Sequence, residues 1–204
     1  MKVYFIGAGP GDPELITVKA QRIMKQCPIV LYAGSLVPRE ILSEVEESAV
    51  KIADTAHMDL DEIMVDIDAA HAADQNVARV HSGDPMLYGA IGEQIRRLEE
   101  RGIEYEIIPG VTAVSASAAW LGKELTLSGV SQTIILTRYS IKTPFPEREQ
   151  LPALAKSHAT LAIHLGVTHI HKLVEEFMLL ANREVTEHIE KHCKQKDIKE
   201  LFVY

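Results

Sequence analysis

Short apolar runs that stop at glycine or proline alternate with longer stretches of helical periodicity through the N-terminal half of this chain. Val3–Ile6, Ile29–Tyr32, Val50–Ala53, Val77–His81 and Glu104–Ile108 read as strands. Thr17–Lys25, Pro38–Glu47, Leu60–Ala73 and Ala90–Arg101 read as helices between them, the third with Leu60, Ile63, Met64 and Ile67 on one side. Pro28 and Gly102 end the first and the last of these helices. Connections of this length cannot be hairpins. They imply an α/β fold built on a parallel sheet with both faces covered, and ligands in such sheets collect at the carboxyl ends of the strands.

The 204 residues, 47% of them hydrophobic and 25% charged, are enough to bury a real core. A formal net charge of −8 argues against broad nucleic-acid binding and leaves room for a local basic pocket. Cys27 and Cys193 are too few for a disulfide framework and read as reduced thiols of a cytoplasmic protein. The apolar start is too short for a secretory leader, and no run is long enough to span a membrane.

Residues 1–121 read as an N-terminal α/β lobe and 122–131 as a linker of turn residues. Residues 132–204 read as a second α/β lobe, with strands Thr133–Thr137 and Thr160–Leu165 and helix from Ile170 to Phe202.

Three loops follow strands and carry unusual glycine and proline chemistry. The first is Gly7-Ala8-Gly9-Pro10-Gly11-Asp12-Pro13. It fails as a dinucleotide fingerprint because Asp12 stands where the third glycine belongs and would repel a pyrophosphate. Pro10 and Pro13 also lack the amide donors a phosphate uses. A tight turn with Asp12 capping the next helix explains it equally well.

The second loop is His81-Ser82-Gly83-Asp84-Pro85-Met86-Leu87-Tyr88-Gly89, again between strand and helix. Helix N-terminal amides suit a carboxylate, and Asp84 offers an acceptor for an ammonium group, so one loop could hold both ends of an amino acid. The alternative is Asp84 as a cap and Tyr88 as core. The third loop, Pro109-Gly110-Val111-Thr112-Ala113, leads into a run of small residues that permits close approach to a flat ligand or simply tight helix packing. Together the loops suit an amino acid joined to a heterocycle without phosphate, which describes S-adenosylmethionine.

These three blocks resemble the signature segments of the tetrapyrrole methylase family. Tyr32-Ala33-Gly34-Ser35-Leu36-Val37, Gln132–Arg138 and Thr143–Glu147 resemble the branch that methylates carbon 11 of a precorrin. Thr55–Ile63 does too, except that His57 stands where that branch has glycine. Relatives that methylate uroporphyrinogen carry Asp at the position of Ala33. The resemblance runs from residue 1 to about Phe177. It implies two α/β lobes with S-adenosylmethionine bound between them, in a homodimer.

Carried over by position, the resemblance places cofactor contacts on Pro10, Ser82, Gly83, Asp84, Leu87, Thr112, Ala113 and Leu165. It turns Gly9, Gly11 and Asp12 toward the tetrapyrrole, with Arg138 as the basic group most suited to the substrate's carboxylates. Arg39, Lys123 and Lys142 are further candidates for that role. The implied reaction is methyl transfer to carbon 11 of precorrin-4 or its cobalt form. It requires no metal, and no residue is assigned as the proton acceptor. Competing expectations are another corrinoid methylase and a relative that binds the cofactor without turnover. A nicotinamide oxidoreductase is disfavoured by the proline-interrupted glycine loop.

His188 and His192 have the i, i+4 spacing of helical zinc ligands, but Ile189 replaces the glutamate of that motif. By comparison with the family the chain ends roughly fifty residues early. The second lobe is therefore expected to be truncated and to expose a sheet edge.

Overall fold

The computed structural model describes residues 1–34, 36–43, 45, 48–139 and 144–176. They form two compact units, Met1–Ala116 and one that begins at Ser117. The boundary falls inside a helix, ahead of the segment 122–131 expected to be the linker.

The first unit is a five-stranded sheet of β1 (Lys2–Gly7), β2 (Ile29–Tyr32), β3 (Lys51–Asp54), β4 (Val77–His81) and β5 (Glu104–Ile108). Every pairing is parallel and the strand order is β3-β2-β4-β1-β5. Helices α1 (Val18–Met24), α2 (Leu60–Ala72) and α3 (Gly92–Glu100) make crossovers. The chain moves one way across the sheet from β1 to β3 and back again from β3 to β5. The right-handedness of such crossovers therefore assigns the two sets of connections to opposite faces.

The cores agree with that assignment. Ile6, Val30 and Val80 pack under Ala20, Ile23 and Met24 of α1 and under Ile41, Leu42 and Val45. On the other face Phe5 and Leu31 pack under Ile63, Met64 and Ile67 of α2 and Leu98 of α3. Because alternate residues of β1 enter different cores, the strand reads as a continuous apolar run. Cys27 lies in the first core, where burial pushes its thiol up to about 12 and leaves it unreactive.

Local chemistry fixes the helix starts. Thr17 accepts the Ala20 amide at the head of α1. Asp59 and Glu62 form a reciprocal capping box on α2. Arg97 of α3 and Arg101, which caps its C-terminus, form ion pairs with Asp61 and Asp68 of α2.

Two expectations are corrected. Within the helix read at Pro38–Glu47, Arg39–Leu42 form a 3-10 turn, and Glu44, Glu46 and Glu47 lie outside the described residues. The turn's bonds step three residues, as from Ile41 N to Pro38 O, and the Ser43 hydroxyl donates back to Glu40 O. Asp12 caps only the 3-10 turn Pro13–Leu15, leaving α1 to Thr17.

The second unit contains β6 (Ile134–Arg138) and β7 (Thr160–His164), a parallel pair joined through α5 (Leu151–Ala155). Ser131 Oγ donates to Thr133 O and accepts the Thr160 amide, and Thr160 Oγ1 donates to Leu125 O, so side chains fasten the start of β7. Residues 170–176 are helical. Lys142, His188, His192, Cys193 and the expected helix beyond residue 176 lie outside the described residues.

The α2 stripe gives a direct test of this packing. Ile67 is fully buried and Val65 is 65% exposed on the same helix. Ile67→Ala is expected to cost about 2–5 kcal/mol in urea unfolding, and Val65→Ala within about 0.5 kcal/mol of nothing.

Candidate functional site

The order β4-β1-β5 brings the ends of three sequence-distant strands side by side, and all three motif loops leave from those ends. The first two loops are joined by backbone. Ala8 N donates to His81 O at 2.8 Å, Gly9 N to Gly83 O at 3.3 Å and Gly83 N to Gly9 O at 2.7 Å. Gly9 and Gly83 thus form an isolated antiparallel bridge on the edge of a parallel sheet, with φ of 81° and 60°. Only glycine adopts such angles without strain.

The third loop closes on the other two more tightly than any side chain permits. A Cβ at Gly110 would stand 2.1 Å from Gly83 O and 2.8 Å from Gly7 Cα. A Cβ at Gly7 would meet Gly83 O and the Gly110 backbone at 2.6 Å. This is a backbone cradle of the kind that lets a flat ligand approach closely. It also bears on phosphate. The amides of Ala8 and Gly9 are consumed by the second loop, and Pro10 has none, so the loop has little left to offer a pyrophosphate.

Within the cradle Ser82, Gly83, Asp84 and Leu87 are half-buried, as are Pro10 and Gly11, whereas Gly9 is buried and Asp12 is exposed. Asp12 Oδ1 accepts the Glu14 amide. Both oxygens of Asp84 have backbone donors: Oδ1 accepts Met86 N–H at 2.8 Å and Oδ2 accepts Gly110 N–H at 3.1 Å. Thr112 Oγ1 accepts the Val114 amide at 3.3 Å, which leaves the hydroxyl hydrogen available to donate. Ala113, exposed, opens α4 (Ala113–Leu121).

The helix read from Ala90 begins at Gly92, without a side-chain cap and well beyond Asp84. Tyr88 and Ala90 have φ of 58° and 52°, and these two left-handed residues turn the chain before the helix can begin. Asp84 is therefore not a helix cap. Tyr88 is 42% exposed and not a core residue.

Two groups that the sequence reading passed over lie just beneath the cradle. Arg79 and His81 of β4 are 5% and 6% exposed. Arg79 donates to Gln94 Oε1 of α3 and to Leu31 O. Burial brings its guanidinium down to about 10, so it remains charged. Burial first, and then the Arg79 charge, holds His81 down at about 3, so the imidazole is neutral across the physiological range. Its Nε2 is buried without a hydrogen-bond partner among the described residues. The signal available in the sequence was Arg79 and His81 alternating with apolar residues in a central strand.

Leu165 and Arg138 belong to the second unit. Leu165 follows β7, 56% exposed and with φ of 59°, an unusual angle for leucine that holds its side chain out from the turn. Arg138 ends β6, its guanidinium 5.1 Å from the centre of the Phe145 ring.

The family profile of the Tetrapyrrole (Corrin/Porphyrin) Methylases matches residues 2–189, and the chain belongs to that family. Among its relatives it is 61% identical to the precorrin-4 C(11)-methyltransferase of Pseudomonas aeruginosa, over 87% of this chain and 70% of that one. A solved structure of a cobalt precorrin-4 methyltransferase has 44% identity and a TM-score of 0.83, covering 88% of this chain and 75% of its own. The uroporphyrin-III C-methyltransferase of Thermus thermophilus, solved with S-adenosylhomocysteine, has 31% identity and a TM-score of 0.71, covering 88% and 72%.

Two measurements check the site's physics. Gly110→Ala is expected to lose about 1–3 kcal/mol by forcing the loops apart, whereas Gly92→Ala, where a Cβ meets nothing within 4 Å, should not destabilise. The second concerns acid. Unfolded His81 takes up a proton near 6.5 while the folded group does not until about 3, so its contribution to stability falls as pH drops through that window. The stability gap between wild type and His81→Gln should shift against wild type between pH 7 and pH 4, with a limiting slope of ~1.4 kcal/mol per pH unit. A gap independent of pH would contradict the buried neutral imidazole.

Proposed function

We propose that this chain transfers a methyl group from S-adenosylmethionine to carbon 11 of precorrin-4 or cobalt-precorrin-4 during assembly of the corrin ring. The observation that carries the proposal is the cradle at the carboxyl edge of β4, β1 and β5. It offers close backbone approach and few phosphate donors, as a phosphate-free nucleoside ligand requires. The identity to C(11)-methyltransferases supplies the ring position.

We assign the donor to Pro10, Ser82, Gly83, Asp84, Leu87, Thr112, Ala113 and Leu165. Gly83 has no side chain to hold the ligand off, the Thr112 hydroxyl has a hydrogen to give, and Leu87 and Leu165 supply apolar surface. We assign the tetrapyrrole to Gly9, Gly11, Asp12 and Arg138, the last as a counter-charge to its carboxylates. The sulfonium of the donor carries an already activated methyl group, and the electron-rich macrocycle supplies the carbon nucleophile. The chain's own contribution is then to align the two in line and to exclude water. A homodimer of two-lobed subunits in the cytoplasm is part of the same reading. Among the described residues no helix is long and apolar enough to cross a membrane.

Incubation with S-adenosylmethionine and either precorrin-3 or precorrin-4 tests the proposal by mass spectrometry. Precorrin-4 is expected to gain one methyl group with release of S-adenosylhomocysteine, and precorrin-3 none. Methylation of precorrin-3 instead would move the reaction to another ring position. Failure to bind S-adenosylhomocysteine in calorimetry would overturn the cofactor assignment itself.

A further inference from the structure

The first and second loops are joined by main-chain bonds, but the third is not. β5 is an edge strand, paired only with β1. Beyond Ile108 its loop opens with Pro109, which has no amide, so the Gly110 N–H is the first donor available. That amide goes to Asp84 Oδ2 at 3.1 Å, across 26 residues of sequence. The other oxygen of the same carboxylate takes Met86 N–H at 2.8 Å and fixes the turn that carries Asp84. The bridge runs from the end of β4 to the end of β5, past the end of β1 that lies between them, and Gly7 at that end has no side chain to obstruct it.

We propose that Asp84 is a positioning residue, whose carboxylate fastens the third loop to the second and so shapes the cradle, and that this, rather than an ion pair with the ammonium of the bound amino acid, is its main contribution to cofactor binding. The proposal rests on the assignment of S-adenosylmethionine to this cradle and refines the part that Asp84 plays in it. Each Asp84 oxygen holds a backbone amide, one of them the tether of the third loop, and with the tether made Gly110 is held where its Cα crowds Gly7 and Gly83.

Asp84→Asn separates the two roles. The amide side chain keeps the shape and can still accept one bond, but its NH2 cannot accept the other. Two probes are compared by calorimetry, S-adenosylhomocysteine and 5′-methylthioadenosine, which shares the nucleoside and thioether but lacks the amino acid. Positioning predicts that Asp84→Asn weakens both by the same factor, on the order of tenfold for one charge-assisted bond. It also predicts faster hydrogen exchange at the Gly110 amide in the ligand-free variant. Weakening of S-adenosylhomocysteine alone would overturn the proposal in favour of an ammonium partner. A lower melting temperature with both affinities unchanged would overturn it in favour of a purely structural bond. If wild type binds neither probe, the cofactor assignment fails. The tether is then judged by Gly110 exchange alone, unchanged exchange in the variant refuting it and accelerated exchange upholding it.

Discussion

The structure depends on the contact of three backbones at one edge of the sheet. Gly7, Gly83 and Gly110 sit closer together than any Cβ would allow, with Gly83 O as the common neighbour. Nothing about any one loop creates that contact. It follows from the strand order, which places β1 between β4 and β5, so that three chain segments separated by many residues end in the same place. Helices on both faces hold the strands in that order by burying Phe5, Leu31 and Ile6.

Electrostatics refine the cradle. The protein is acidic overall, yet the layer directly under the second loop holds a charged guanidinium and a neutral imidazole, both deeply buried. Burying a guanidinium is costly unless its donors are satisfied, and Gln94 Oε1 and Leu31 O do that here. The Arg79 charge in turn adds to the burial that keeps His81 unprotonated. Positive potential is thereby placed beneath the loops of a protein whose net charge is −8.

Much of this was legible beforehand, and the exceptions have identifiable causes. Strands β4 and β5 were read with the bounds the structure gives them, because apolar runs cut by glycine and proline leave little choice. Within the helix expected at residues 38–47, residues 39–42 form a 3-10 turn, since local hydrogen bonds of three-residue span, with Ser43 among the donors, compete with the longer helical step. Asp84 was weighed as the cap of the helix after the second loop, but the left-handed backbone of Tyr88 and Ala90 comes before α3, and neither residue type announces a positive φ. The bond from the Gly110 amide to Asp84 was not legible, because the two residues lie 26 apart in sequence.

The amino-acid sequence alone determined the parallel α/β class, the three loops that matter and the unsuitability of the first for phosphate. Each of these is written in local chemistry: hydrophobic period, glycine, proline and a misplaced acid. The tertiary structure alone decided which loops touch, which carboxylate oxygen meets which amide, and how deeply Arg79 and His81 are buried. Those properties belong to pairs of residues distant along the chain, and a distant pair acquires an energy only once the sheet order has made the two neighbours.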